Sequence, residues 1–372
     1  MKRLLFIGYI LILLLMTIFS WGFVDANFPV KFLPAFNALI FSHRDISTAI
    51  YTSLEIALFI FYGFFVRLAS KKKTDPTFVK TLIILTIIIL FFSWPAFAYD
   101  IFNYIATAKL TFFYHENPYL VMPIEIPNEP LLTFMHASNK VALYGFVWIL
   151  ITAVPWFLGA SNLLLTVFTF KALEVVFYLV SLILLWKLSN KDQKALAFFG
   201  LNPLVTNETL ISAHNDIVMM ALTLASFYFF QKKRSWLAVF LLFLSIFIKF
   251  ATLALIPVFI YLFYLQHKGL KINWDKVWKW SAILMYVPFF LSPLREEIYS
   301  WYLIWPLTFT ALALREELLA WITAGFSFGL PLRLAPFLFT GSWGGETPLI
   351  KKIITSVPPI ITAGFYELRK KI

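Results

Sequence analysis

Residues 78–119 read FVKTLIILTIIILFFSWPAFAYDIFNYIATAKLTFFYHENPY, and the change of character between their two halves decides the fold. The run 78–98 is apolar for about 20 residues, the length that crosses a hydrocarbon core of about 30 Å. It ends just before Asp100, where a carboxylate and several polar groups follow a greasy helix out of the bilayer. An ionisable group at a membrane boundary is costly to desolvate unless it faces protein or water, which makes Asp100 a functional candidate by default. The plain alternative is an acid that only wets a helix end.

Outward from this stretch the apolar runs repeat. They fall at 4–23, 47–69, 78–98, 141–158 and 162–187, then at 194–212, 214–230, 235–250, 251–266, 278–292, 300–314, 318–332 and 349–366. The pattern predicts an all-α, polytopic transmembrane bundle of about 10–13 helices. It reads as a single integral membrane domain over 1–372. Of the 372 residues 61% are hydrophobic and 13% charged, which excludes a soluble surface. The net charge of +12 sits in clusters such as Lys71-Lys72-Lys73, Lys232-Lys233-Arg234 and Arg369-Lys370-Lys371 at the ends of apolar runs. They read as positive-inside anchors toward membrane lipid, and no nucleic acid partner is expected. The first run starts Met1-Lys2-Arg3 and has no small-residue cleavage site after it, so it is expected to be a retained helix. Without cysteine there is no disulfide, thiolate metal site or Cys nucleophile. Walker, dinucleotide-binding and HExxH patterns are absent too, so neither a metal nor a cofactor is expected.

An inside N-terminus returns 67–80 to the inside and delivers Asp100 to the outer face. Lys187, Lys191 and Lys194 resist this scheme. They land outside if every run crosses once, so either 194–212 is re-entrant or the count changes there.

Asp100, Asn103, Tyr104 and Thr107 recur at helical spacing and share one face, which suits a helix lying in the interface. Tyr114-His115-Glu116-Asn117-Pro118-Tyr119 stops that helix, and Pro123, Pro127 and Pro130 continue as loop. Residues 99–140 are thus an outer loop with short interfacial helices that carries the candidate acid. Further on, Asn202-Pro203-Leu204 precedes His214-Asn215-Asp216, which opens an apolar run. Helix capping explains Asn and Asp at such a start. His214 and Asn215 add donors beyond what capping needs, and with Asn207 and Glu208 close in sequence they could together line a polar pocket within the bilayer. Lys249 falls at the tip of a hairpin within 235–266, as a phosphate ligand or a snorkelling lysine. Lys171 and Glu174, three residues apart, are expected to neutralise each other. Trp301 and Tyr302, after Arg295, belong to an aromatic belt or to a pocket. A carboxylate at the membrane edge with cations nearby fits transfer to a hydroxyl, the acid taking a proton while positive charge holds a phosphate leaving group.

Taken in order, Tyr99-Asp100-Ile101-Phe102-Asn103-Tyr104, Asn117-Pro118-Tyr119, Asn202-Pro203-Leu204, His214-Asn215-Asp216, Lys249 and Trp301-Tyr302-Leu303-Ile304-Trp305-Pro306 form a series. It resembles the GT-C glycosyltransferases, especially the polyprenol-phosphate-mannose-dependent mannosyltransferases of bacteria and archaea. The similarity runs from about residue 93 to 310. It implies a metal-independent hexosyltransferase that takes a sugar, mannose above all, from a polyprenyl-phosphate donor to a glycan or lipid hydroxyl. It also implies inversion at the sugar carbon, and a site on the outer face of the plasma membrane. By the resemblance Asp100 is the catalytic base. His214, Asn215, Asp216 and Lys249 bind donor phosphate and sugar, with Asn103, Tyr104, Asn117, Arg295, Trp301 and Tyr302 as further binding residues. The chain departs from the pattern in having Ser212-Ala213 where glycine is frequent, and Ser300 rather than proline before Trp301. Residues 315–372 match poorly, which leaves the acceptor side without assigned residues.

Two other classes compete. A lipid-carrier flippase or transporter needs inverted repeats and interrupted helices in both halves, which the sequence does not display. A non-catalytic scaffold gives no reason for Asp100, His214, Asp216 and Lys249 to gather at one cavity.

Overall fold

Charged and polar residues punctuate the apolar runs, and the helices begin and end at them. In the computed structural model, which describes residues 2–25, 28, 34–71, 75–135, 137–294 and 297–371, no strand occurs among the described residues. The chain opens with α1 (Lys2–Trp21), α2 (Pro34–Ser42), α3 (Arg44–Ser70) and α4 (Pro76–Phe91). The segment around the candidate acid forms α5 (Asp100–Phe112), 3-10 turns at Pro123–Glu125 and Pro130–Phe134, and α6 (Phe146–Leu158). Next come α7 (Leu163–Leu188), α8 (Gln193–Gly200), α9 (Pro203–Thr206) running into a π turn at Asn207–Ile211, and α10 (Asp216–Gln231). A hairpin of α11 (Ser235–Ile246), a 3-10 turn Phe250–Leu255 and α12 (Ile256–His267) precedes α13 (Trp274–Leu291). The remainder is a 3-10 turn Ser300–Leu303, α14 (Ile304–Leu312), α15 (Glu317–Leu332), α16 (Ala335–Thr340) and α17 (Thr347–Lys371).

Side-chain caps set several starts. Asp75 accepts from Thr77 N, Asn162 from Leu165 N, Asp192 from Lys194 N and Asn202 from Leu204 N, each satisfying an amide that the helix leaves free. Asn202 also donates to Tyr62 Oη and Ser327 Oγ, both at 3.2 Å. The Asn202-Pro203-Leu204 motif is therefore a cap that ties α9 to α3 and α15.

Each expected apolar run contains helix, yet among the described residues only six helices are long and apolar enough to cross a membrane. Counting α9 with its π turn and α10 as one broken span raises this to seven. Pro76–Phe91, Phe146–Leu158 and Ser235–Ile246 are shorter, since turns cut their runs. Apolar side chains such as Leu11, Ile60, Ile88, Ile183 and Ile260 are exposed, the arrangement that a surrounding lipid solvent requires. Inside, buried residues from α1 to α16 form one continuous apolar cluster.

The awkward lysines find their place through the break after α9. The chain turns by 113° between Pro203–Ile211 and Asp216–Gln231. It rises from Asp192 and returns to Gln231, so both loops open on the same cavity of about 1040 Å³, with Gln266, Trp274 and Arg315. Lys80 lies 4.8 Å from the Trp186 ring, which brings the 67–80 segment to this end as well. The basic loops 187–194, 231–234 and 267–274 thus share one end, which fits the re-entrant alternative for 194–212. The 194–212 run does not cross on its own.

Two other local expectations change. Helix α5 is enclosed on both faces, with Ile101, Phe102, Ile105 and Ala108 as buried as Asn103, Tyr104 and Thr107. It plugs into the bundle instead of floating on its apolar side. Lys171 does not pair with Glu174: its ammonium donates to Leu90 O at 3.2 Å, and to the backbone oxygen and hydroxyl of Ser93. Both Glu174 oxygens are buried with no hydrogen-bond partner. At three residues' spacing the two side chains could meet, but Leu90 O at the end of α4 and the Ser93 oxygens just after it take the lysine first.

Candidate active site

The site begins at the N-terminus of α5, where Asp100 is the first helical residue and retains 26% of its side chain exposed. Opposite it stands the loop between the π turn and α10. In this loop Ala213 has φ +58°, a left-handed conformation that costs a residue with a Cβ about 1–2 kcal/mol. A glycine would adopt it freely, so the departure from the frequent glycine falls where the backbone most demands one. The π turn and this twist aim His214 inward.

His214 is fully buried and bridges two acids. Its Nε2 is 3.6 Å from Asp100 Oδ2, and its Nδ1 is 3.0 Å from Glu208 Oε2. The Trp301 indole stacks on the imidazole with centroids 3.9 Å apart, and Tyr299 stacks on the far side of Trp301 at 4.5 Å. Glu208 also accepts from the Ser300 hydroxyl, and the neighbouring Asn207 donates to Glu55 Oε1 at 2.6 Å. Ser300, where the pattern has proline, supplies a donor that proline lacks. Burial pushes the Asp100 carboxyl up from its ordinary range. The positive charge of His214 and Lys249 pulls it back, and Asp216 and Glu208 push it up again.

Asp216 is buried at the start of α10, where a carboxylate also suits the helix dipole. Its Oδ2 accepts from Lys249 Nζ at 2.6 Å and its Oδ1 from Trp305 Nε1 at 2.6 Å. Lys249 stands at the tip of the α11–α12 hairpin, as expected, with Nζ 5.7 Å from the Tyr302 ring. Backbone contacts hold the tip. Gly145 N donates to Ile248 O and Val147 N to Phe247 O, and a Cβ on Gly145 would lie 2.0 Å from Phe247 O. Only glycine admits that approach.

Asp100, Asn207, Glu208, Tyr299, Ser300 and Trp301 line one cavity of about 520 Å³. Asp100, His214, Asp216 and Lys249 gather beside it, where a scaffold would have scattered them. Tyr104 Oη accepts from Asn215 N at 3.5 Å, while the Asn215 side-chain oxygen and nitrogen and Asn103 Oδ1 are buried without a partner. Asn117 is not part of this group: it is exposed, and its side chain closes a turn by accepting from Tyr119 N. Arg295 lies outside the described residues. Sequence reasoning grouped Glu208 with His214-Asn215-Asp216 as lining for a polar pocket but gave it no role, and it passed over Ser300 as a site residue. The signal for Glu208 was that an acid six residues before His214 is out of place in an apolar run.

With this geometry in view the comparisons can be read. The family model for the alpha-(1->6)-mannopyranosyltransferase N-terminal domain matches residues 6–265. No curated protein and no solved structure gives a match. The matched stretch takes in Asp100, His214, Asp216 and Lys249 and most of the chain, and on that ground the protein belongs to the alpha-(1->6)-mannopyranosyltransferase family and is a membrane mannosyltransferase.

Proposed function

We propose that the protein moves a mannosyl unit from a polyprenyl-phosphate donor to a hydroxyl of a glycan or lipid acceptor, with Asp100 as general base. The observation that carries this reading is the Asp100–His214–Glu208 row beside an open cavity. The acceptor oxygen attacks the anomeric carbon as its proton passes to Asp100. A new carbon–oxygen bond forms on one face, and the bond to the phosphate oxygen breaks on the other. The phosphate leaves with the electron pair, and the sugar carbon inverts. His214 sets its positive charge beside the Asp100 carboxylate, Glu208 fixes the ring from behind, and Trp301 stacks on its face. Asn103, Asn215 and Tyr104 offer hydrogen bonds to sugar hydroxyls, while Asp216 holds Lys249 on the donor side. Incubation of the purified protein with a panel of polyprenyl-phosphate sugars and mass spectrometry of the products tests the reading. Transfer from a nucleotide sugar, with none from any lipid donor, would overturn it.

A base works only when ionised, and a raised pKa means that ionisation is lost at a higher pH as the solution is acidified. The acid limb of kcat/KM is therefore expected above the ordinary aspartate value of about 3.9. In His214→Gln a charge that lowers the Asp100 pKa is gone, so the limb should move higher still. A limb that stays at the ordinary value, or moves down in this variant, speaks against Asp100 as the titrating base.

The site faces the outer side of the plasma membrane in this reading, because the basic loops gather at the other end. The chain has no cysteine, so single probes are clean. An impermeant thiol reagent applied to intact cells should label Asn128→Cys and spare Lys268→Cys, both at exposed positions. The reverse pattern would put donor use on the cytoplasmic face.

A further inference from the structure

The cavity that Asp100 lines is also built by residues to which no role has been given. Arg44 at the start of α3, Arg333 just after α15 and Lys351 in the first turns of α17 all line it, together with Glu297. Glu297 holds two of these cations at once: Arg333 Nη2 donates to Oε2, and Lys351 Nζ is 2.7 Å from the same oxygen and 2.9 Å from Oε1. Both are largely withdrawn from solvent, with 11% and 12% of their side chains exposed, and Arg333 Nε is buried without a partner. Arg44 donates to Leu338 O at 3.3 Å and has no carboxylate partner among the described residues. The charged lining of the cavity is these three cations and three carboxylates, Asp100, Glu208 and Glu297, of which only Glu297 pairs with the cations among the described residues.

Close helix packing puts the cations there. Gly325 and Gly329, four apart on α15, face α17 so tightly that a Cβ would lie 2.5 Å from Pro359 Cα in one case and 2.3 Å from Ile354 O in the other. Small residues at this spacing let two membrane helices meet backbone to backbone. The contact brings the end of α15 against the beginning of α17, and with it Arg333 to Lys351. Phe23, Ile40, Phe41 and Phe337 line the same cavity, so an apolar surface adjoins the cationic one.

We propose that Arg44, Arg333 and Lys351 form a phosphate subsite for a prenyl phosphate, with Glu297 as an internal competitor for the same two cations. The chemistry recognised is a phosphate monoester or diester. Its oxygens take the fork of an arginine and two further cations, while an attached isoprenoid chain lies on the phenylalanines. Lys249 is already held by Asp216, whereas Arg44 has no carboxylate partner among the described residues. The proposal deepens the lipid-phosphate reading and rests on it for the identity of the ligand. Asp100 lines the same cavity, so the base and the phosphate subsite open on one space.

The test is equilibrium binding to the full-length protein in nanodiscs, with a short prenyl monophosphate and inorganic phosphate as separate probes. Arg333→Gln and Arg44→Gln are each expected to weaken prenyl phosphate about ten- to a hundredfold, the worth of one charge-assisted contact. Glu297→Gln acts in the opposite sense. The unliganded protein should melt earlier, because two cations lose their partner, yet bind the prenyl phosphate more tightly. A purely structural ion cluster predicts no such gain. Arg44 lies outside that ion pair, so its variant reports binding even where Arg333→Gln folds poorly. Wild-type affinity in Arg44→Gln and Arg333→Gln, or weakened binding in Glu297→Gln, would overturn the subsite. Inorganic phosphate bound as tightly as the prenyl phosphate would overturn the lipid source and leave a site for free phosphate. Binding is read without turnover, so the two readings fail separately. A protein that binds through these residues and transfers no sugar sinks the transfer reading alone, and one that transfers sugar with binding indifferent to them sinks the subsite alone.

Discussion

Asp100→Asn lowers mannosyl transfer by about 10²- to 10⁴-fold, the range that a positioned general base supplies. The substitution keeps the size and polarity of the side chain and removes the basic oxygen. His214 Nε2 stands 3.6 Å from the carboxylate without a hydrogen bond to it, and Asp100 carries no cap contact that holds α5, so the fold is expected to persist. The check is single-turnover transfer with a lipid-linked mannose donor, with the melting temperature measured alongside. Turnover near that of the wild type in a folded Asp100→Asn protein removes the aspartate from the chemistry. Glu208 would then be the next acid to test, since it reaches the same imidazole from the other nitrogen.

Lys249→Met is expected to destabilise the protein by about 3–5 kcal/mol, because it strands the buried Asp216 carboxylate without its cation. The methionine keeps the apolar stem, so the loss reports charge rather than packing. Lys249→Met/Asp216→Asn should regain most of that stability, since the uncompensated charge is gone and Trp305 Nε1 still has an oxygen to bond. Denaturation of the two single variants and the double variant gives the coupling directly. Additive effects would show that the 2.6 Å contact contributes nothing to the fold. Transfer in the double variant then reads the second role of Lys249. If stability returns and transfer does not, the ammonium also acts on the donor.

Hydropathy and spacing were sufficient for much of this molecule because both are sums over neighbouring residues. A membrane helix needs about 20 apolar residues whatever surrounds it, and the runs at 4–23, 47–69 and 162–187 became helices nearly as drawn. Asp100 and His214-Asn215-Asp216 stood out for the same local reason: each interrupts an apolar context where charge is costly. Their order along the chain carried the resemblance that the family match bears out. The GxxxG pair at Gly325 and Gly329 was equally legible but went unread, because its meaning depends on a second helix.

The sequence by itself determined an all-helical membrane protein, the positions where its polar chemistry interrupts the apolar runs, and membership of a mannosyltransferase family. Only the tertiary structure decided the partners. Lys171 chose Leu90 O and the Ser93 oxygens over Glu174, and Glu208 turned out to back His214. Asn117 left the site for a turn, and the cationic wall was assembled from helices more than 280 residues apart, Arg44 beside Arg333. The physical reason is that whether a residue is apolar or charged is written in one position, whereas a contact between charges depends on separation in space and on the water excluded around both. Those two quantities exist only once the helices have packed.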